Sequence, residues 1–544
     1  MSKFFILVAG FMIFTACTNK KPPETEAASV ISHPNIVLIT CEDILPYLSS
    51  YGDSTIYTKN LDRLALEGVK YTNMYAVSGV CAPNRSCLAT GMYPTSIGSH
   101  NMRTLNTMVD GLPESYSVVP PPEVHHYAEY LRAAGYYTTN NSKEDYQFVE
   151  PVTVWDESSP NAHWKNRAPG QPFFAIFNST VCHESQIWKK KDDPMLADPA
   201  RVPVPPYYPQ DNEIVRQDVA RAYSNTLEMD QWAGEILAEL ENEGLLDSTV
   251  IVFFSDHGGP LPRQKREIYD SGLKVPFIVK YPDQKMAGSI NQDLVSFVDI
   301  VPSVLSLANI PVPEYMQGRP FLGAQKVEKP RQYIYAARDR LDAEYDRVRG
   351  VRDHRYKYFR NYYLDQPYYM DIKYRLQMPM MQELLRLKEA GELNETQMLW
   401  FRESKPEEEL YDCQNDPYEL NNLAALPEYQ DKLKELRQQL EWWQKEYGDL
   451  GAVEEKELVA EMWNQQDQPP ATEPAQFELN EAKNEVTLYC STDGASIGYK
   501  CGSELQKLDY QVYTGPFQVN KGDSLQILSH RIGYQPSEET AIKL

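Results

Sequence analysis

The chain is short of positive charge, of apolar runs and of clustered cysteine. Lys and Arg total 53 against 77 Asp and Glu, for a formal net charge of −24. Nucleic-acid binding draws on basic patches, so no nucleic-acid partner is expected. A polyanionic ligand would need its cations gathered inside one pocket, because the surface as a whole repels it. After the first residues no segment is long and apolar enough to cross a bilayer, which leaves membrane association through a lipid anchor only. The eight cysteines match no zinc spacing. Cys41, Cys87, Cys182 and Cys413 read as single buried thiols. Cys490 and Cys501 flank an expected hairpin and form the candidate disulfide pair in a compartment that permits one.

What is present begins with an export signal. Lys3 is the charged start, Phe4 to Phe14 an apolar run, and Thr15-Ala16-Cys17 places small residues before a cysteine. That ending resembles a lipobox, with Cys17 the lipidated first residue of an exported bacterial lipoprotein, periplasm-facing or on the cell surface of the outer membrane. The alternative is an ordinary secretory signal cut near Ala16. Residues 18–33 lack apolar periodicity and read as a tether. The remaining length exceeds what one core serves, so two or three domains are expected. The pattern shifts place a large domain at 34–332, a smaller subdomain at 333–464, a Pro/Gln-rich linker at 465–476 and a terminal module at 477–544.

Two runs carry the core of the large domain. Asn35-Ile36-Val37-Leu38-Ile39-Thr40 has the continuous β-branched look of a buried parallel strand and stops at Cys41-Glu42-Asp43. Thr249 to Phe254 repeats the pattern and stops at Ser255-Asp256-His257-Gly258. Open α/β sheets bind ligands at the carboxyl ends of their strands, so these two ends would gather three carboxylates and an imidazole. Such an oxygen-rich set suits calcium or magnesium better than zinc. Between them the pattern predicts a helix over Thr58–Gly68, a strand over Val69–Ala76, a helix starting at Cys81, a helix over His125–Ala134, a strand from Gly135 and a buried strand over Pro172–Phe177. A helix over Val215–Asn242 follows, with a packing role alone. The fold class is α/β: a large mixed, mostly parallel sheet flanked by helices, a smaller C-terminal α+β subdomain with an antiparallel sheet, and a terminal small β-sandwich.

The most specific stretch is Cys81-Ala82-Pro83-Asn84-Arg85, followed by Leu88-Ala89-Thr90-Gly91. It resembles the signature of the type I, formylglycine-dependent sulfatases of the alkaline phosphatase superfamily. The resemblance implies that a sulfatase-maturing enzyme oxidises Cys81 to formylglycine, whose hydrate is the nucleophile. It also implies a divalent cation, Ca2+ with Mg2+ as the alternative, held by Glu42, Asp43, Asp256, His257 and an oxygen of modified Cys81. Arg85, Lys143 and Lys265 would be the cations of the catalytic set, with Arg263 the competitor for the place of Lys265, and His183 the general acid. Three positions depart from the family pattern: Glu42 and His257, where Asp and Asn are commoner, and Asp145, where a histidine usually stands. Asp145, His100 and Arg103 are candidate substrate contacts, with packing the alternative for the last two.

The texture from Tyr333 onward resembles the smaller subdomain of the heparan N-sulfatase branch. The last strands, expected over Glu485–Cys490, Ser496–Lys500, Tyr513–Phe517 and Ser524–His530, resemble the small β-sandwich appended to chitobiases. The expected activity is hydrolysis of sulfate esters or sulfamates on carbohydrate, with a sulfated saccharide as substrate. The alternatives are a phosphomonoester or phosphonate hydrolase of the same superfamily, and a non-catalytic glycan-binding lipoprotein.

Overall fold

A computed structural model of the chain describes residues 33–507 and 509–544. The export signal, Cys17 and nearly all of the tether lie outside the described residues. Among those described, no helix is long and apolar enough to cross a membrane.

Nine strands build the central sheet: β1 (Asn35–Cys41), β2 (Val69–Tyr75), β3 (Tyr137–Asn141), β4 (Glu157–Ser158), β5 (Phe173–Ser179), β6 (Thr249–Ser255), β7 (Lys274–Lys280), β8 (Ser289–Asn291) and β9 (Val295–Ser296). They run in the order β4-β3-β5-β1-β6-β7-β2-β8, with β9 also on β2. Every pair is parallel except those of β7, which opposes both β6 and β2. Both faces of β1 are covered, and its alternation sorts the core. Ile36 and Leu38 pack with Phe174, Ile176, Val250 and Val252 on one side. Val37 and Ile39 pack with Ala175, Phe177, Ile251 and Phe253 on the other. Each such aliphatic contributes about 1.5–3 kcal/mol on full burial, which is why the strand reads as an unbroken apolar run.

The second face is sealed by α1 (Lys59–Glu67), through Leu61 and Leu64, and by the helix Glu213–Asn242, through Met229, Ala233, Ile236 and Leu240. The first face is covered by α2 (Cys81–Thr90) and the helices Tyr127–Ala133 and Ile300–Leu307. The long helix begins two residues before its expected start because the Asn212 side chain accepts from the Val215 amide and caps it.

A second, antiparallel sheet comprises β10 (Ile334–Arg338), β11 (Val348–Arg352), β12 (Tyr356–Asn361) and β13 (Glu408–Asp412). The helix Gln430–Tyr447 lays Leu433, Leu436, Leu440 and Trp443 into the same core as Tyr335, Val351 and Tyr358. The last residues form two further antiparallel sheets that share Val486, Leu488, Ile497, Leu525 and Ile527.

Three local expectations are corrected here. Cys490 and Cys501 are both free, because Glu485–Tyr489 and Ala495–Gly502 belong to different sheets rather than to one hairpin. The run Tyr513–Phe517 is not a strand: Gly515 and Pro516 separate Gln511–Val512 from Phe517–Gln518, and these too pair in different sheets. Finally, the end of the Pro/Gln-rich stretch is not free chain, since Thr472 donates to Gln535 O at 2.9 Å and Glu473 donates to Thr492 Oγ1 at 2.8 Å.

Candidate functional site

The register of the two central strands sets the site. Cys41 on β1 lies opposite Ser255 on β6, so Glu42 and Asp256 leave the sheet at one level. The chain ends stay tied: Asp256 N donates to Cys41 O at 3.0 Å, Asp43 N to Asp256 Oδ1 at 3.3 Å, and Ile44 N to Ser255 Oγ at 3.1 Å. Asp43 turns in the left-handed region (φ 56°), where aspartate is one of the better-tolerated residues. Asp43, Asp256 and His257 thereby offer ligand atoms within 4.8 Å of one another. His257 Nδ1 lies 3.1 Å from Gly258 O and Nε2 lies 3.0 Å from Asp43 Oδ1 and 3.6 Å from Asp256 Oδ1. With the proton on Nδ1, the Nε2 lone pair meets carboxylate oxygens, a contact that is favourable only with a second proton or a cation between them. The donor set therefore fits a hard divalent ion with one imidazole ligand.

α2 presents Cys81 at its first turn, where free amides and the helix dipole favour an anion. The loop before it is held by Asn84, whose side chain accepts from Val77 N and Ser78 N and donates to Ser78 O and Val80 O, at 2.7–3.2 Å. Arg85, one turn on, donates to Asn178 Oδ1 at 2.9 Å and lies 3.6 Å from Asp256 Oδ2. Lys143, after β3, binds Glu42 and lies 3.5 Å from Asp145. Lys265 sits across both oxygens of Asp43 at 2.7 and 2.9 Å.

Arg263 does not reach the site. It is clamped between Tyr207 and Tyr269 at 4.4 and 4.1 Å and donates to Glu419 O. Of the two competitors, Lys265 is the one at the acids. Glu42, expected with Asp43, Asp256 and His257, stands outside their triplet and faces Lys143 instead.

Charge balance explains how so many ions are buried together. Burial would raise the Asp43 carboxyl, but Lys265 and His257 hold it well below the usual range. Burial works against ionised Glu42 as well, and Lys143, His183 and Arg85 bring it down. Burial alone would lower Lys143 and Lys265; the acids around them raise both instead. Burial pushes the Cys81 thiol up to about 12, so the unmodified side chain is a poor nucleophile at neutral pH. His183, after β5, is lowered by burial and then by Lys265. Its Nδ1 faces Ser185 Oγ at 2.9 Å.

Two groups escaped the sequence reading. Asn178, at the end of β5, links Arg85 to Asn140 and Thr40. Glu184 forms a buried bidentate pair with Arg266 (2.5 and 2.7 Å), and its backbone amide donates to Asp43 Oδ2 at 2.7 Å. A polar residue ending an apolar strand was the available signal for Asn178; nothing local marks Glu184.

The expected sugar contacts lie further out. Arg103 pairs with Asp342 and stacks over Tyr374 at 5.3 Å, whose ring centroid is 6.2 Å from that of His183. His100 lies in a cavity of ≈ 720 Å³ lined also by Tyr345, Tyr362 and Tyr363. It is 6% exposed, and its Nδ1 has no hydrogen-bond partner among the described residues.

Acids at paired strand ends, a cysteine at a helix start and buried cations form a site able to bind and polarise an anionic ester. Comparison with known proteins narrows this. The "Sulfatase" family model matches residues 34–310, and that of "N-sulphoglucosamine sulphohydrolase, C-terminal" matches residues 263–389. An "Ulvan-active sulfatase" of Formosa agariphila is 45% identical over 99% of this chain and 97% of its own length. The human "N-sulphoglucosamine sulphohydrolase" is 25% identical over 78% of this chain and 93% of its own. A solved structure described as being in complex with its substrate D-glucosamine-2-N,6-O-disulfate is 21% identical, with a TM-score of 0.56, covering 78% of this chain and all of that one. The chain belongs to the type I sulfatases, and it is a sulfuric ester hydrolase.

Proposed function

We propose that this sulfatase removes sulfate from a sulfated glycan of the kind its Formosa agariphila relative is named for, acting through formylglycine at position 81 with Ca2+, or Mg2+ in its place, beside it. The observation that carries the reading is the meeting of Arg85, Lys143 and Lys265 with Asp43, Asp256 and His257 around the first turn of α2. Three cations within a net-acidic protein are the concentrated anion clamp that the overall charge of −24 demands.

Asp43, Asp256 and His257, with Glu42 beside them, would hold the metal, which when bound supplies positive charge against the developing oxyanions. The oxidised side chain supplies a hydrated aldehyde as nucleophile: one hydroxyl bonds to sulfur as the sugar oxygen leaves, and the other then loses its proton and expels sulfate as the aldehyde re-forms. Lys143 and Lys265 bind the sulfate oxygens and orient the ester. Arg85 holds the nucleophile position against Asp256, which takes its proton. His183 gives a proton to the departing sugar oxygen, or nitrogen in a sulfamate. His100, Arg103 and Asp145 contact the saccharide, with Tyr374 forming part of its wall. Maturation requires a sulfatase-maturing enzyme, and Cys17 anchors the exported protein to the outer membrane.

The test is sulfate release from ulvan fragments and from sulfated mono- and disaccharides, alongside mass spectrometry of the peptide containing Cys81. Full activity with unmodified cysteine would end the proposal. Cleavage of aryl phosphate in preference to the matched aryl sulfate would move it to phosphate chemistry. Saccharide binding with no sulfate release by the fully modified protein would leave a binding protein.

A further inference from the structure

The loop that carries Lys143 is not held by the central sheet alone. It leaves β3 at Asn141, and Asp145 (φ 57°) and Gln147 (φ 67°) both take left-handed backbone conformations. Aspartate tolerates this region, but a glutamine keeps such a conformation only where the surroundings impose it. The surroundings here are a neighbouring segment and, behind it, the terminal module. Val118 N donates to Gln147 O at 2.9 Å, and Val149 N donates to Ser117 Oγ at 3.1 Å. Val149 O in turn accepts from Gly533 N at 3.1 Å.

The module approaches backbone to backbone. A Cβ on Gly533 (φ 82°) would lie 2.2 Å from Val118 O, and one on Gly494 (φ 74°) would lie 2.1 Å from Pro122 O. Side chains add ties around this contact. Arg531 donates to Pro120 O at 3.1 Å, Arg132 donates to Tyr510 O at 2.6 Å, and Ser496 Oγ lies 3.3 Å from His125 Nδ1. Residues 117–122 and 147–149 thus lie against each other and against the module, and on their other side Trp463 donates to Ser117 O at 3.1 Å. Both family models end before the module begins, at residues 310 and 389.

From this geometry we infer that the terminal module is a positioning element for the sulfate-binding lysine, with Gly533 and Gly494 as the positioning residues that let it dock closely enough to brace the Lys143 loop. The inference rests on Lys143 acting on sulfate. Its consequence is that loosening the module misplaces one ammonium group while leaving Asp43, Asp256 and the α2 turn in place.

A double-mutant cycle in the full, matured chain tests it, with formylglycine content measured in every variant. Gly494→Val/Gly533→Val blocks the close approach. It is expected to lower kcat/KM by on the order of 10- to 100-fold, as a displaced binding group does, with the main thermal transition retained. On a Lys143→Ala background the same pair is expected to cost almost nothing more, because the group it positions is already gone. Equal losses on both backgrounds would overturn the inference, as would unchanged kcat/KM in the glycine pair. If the pair does not fold, Arg531→Ala/Ser496→Ala removes ties without adding bulk and runs the same cycle under the same criteria. A Lys143→Ala enzyme with full activity would instead refute the assignment of Lys143 to sulfate.

Discussion

The Lys265 ammonium lies on the Asp43 carboxylate, whereas the Arg263 guanidinium two positions earlier lies between two tyrosine rings. The two substitutions should therefore separate cleanly. Lys265→Ala is expected to reduce kcat by about 10²-fold or more, the usual cost of losing one preorganised charge at a developing oxyanion. Arg263→Ala is expected to leave kcat near wild type and to lower stability by roughly 1–3 kcal/mol, through loss of two cation–π contacts and a buried hydrogen bond. Steady-state kinetics and denaturant melts of both variants check this. His183, as the proposed proton donor, makes a pH prediction. Burial and Lys265 depress its pKa, so the protonated form that gives up a proton is populated only on the acid side of the ordinary value near 6.5. Turnover of sugar sulfates should fall as pH rises through that depressed pKa. His183→Gln should flatten this limb and cost about 10²–10⁴-fold, with a smaller loss on aryl sulfates whose leaving group needs no proton. The residue types at the site were legible from sequence because each follows a strand end or a helix start. Which of Arg263 and Lys265 faces the acids was not, because the intervening turn decides it.

Among elements, the junction of β2 and α2 depends most on a single side chain. Asn84 occupies an unspecified position of the signature, yet its amide makes four hydrogen bonds to the loop that turns the chain into α2. Asn84→Ala should destabilise the fold by roughly 2–4 kcal/mol, since it leaves buried backbone groups unpaired. Activity per folded, modified molecule should also drop, because the first turn that aims the Cys81 side chain loses its brace. Chemical denaturation, together with kinetics normalised to formylglycine content, measures both. Strand identity was readable in advance, since β1, β5 and β6 are buried on both faces and appear as continuous apolar runs. The short strands of the terminal module were less so. Tyr513 to Phe517 has strand-like residue types, but the strands form on either side of it, Gln511–Val512 and Phe517–Gln518, and long-range pairing chooses a different sheet for each.

At the scale of the whole molecule, buried ion pairs such as Arg352–Asp270 and Arg338–Glu267 join the loop beyond β6 to the second sheet, and another ties the second sheet to the helix behind it. Asp449 follows the helix Gln430–Tyr447 and receives Arg349 from β11 together with Arg347. Burial would raise its carboxyl, but the two guanidinium groups hold it well below the ordinary value of 3.8. A depressed carboxylate contributes stability that is present above its unfolded pKa and is lost as pH falls toward the folded one. Asp449→Asn should therefore destabilise the protein by roughly 3–5 kcal/mol at neutral pH, because it leaves buried arginines without their acid. It should also show a weaker loss of stability below pH 3.8 than the parent, as read by melting temperature against pH. What the sequence determined by itself was the fold class, the strand ends that carry acid and the signature stretch that opens α2, because periodicity and short motifs are local properties of the chain. Tertiary structure alone decided that Glu42 faces Lys143, that Glu184 and Arg266 pair beside Asp43, that Cys490 and Cys501 lie in separate sheets, and that Gly533 and Gly494 lie against the backbone of Val118 and Pro122. Each of these depends on contacts between segments tens to hundreds of residues apart, which no local pattern encodes.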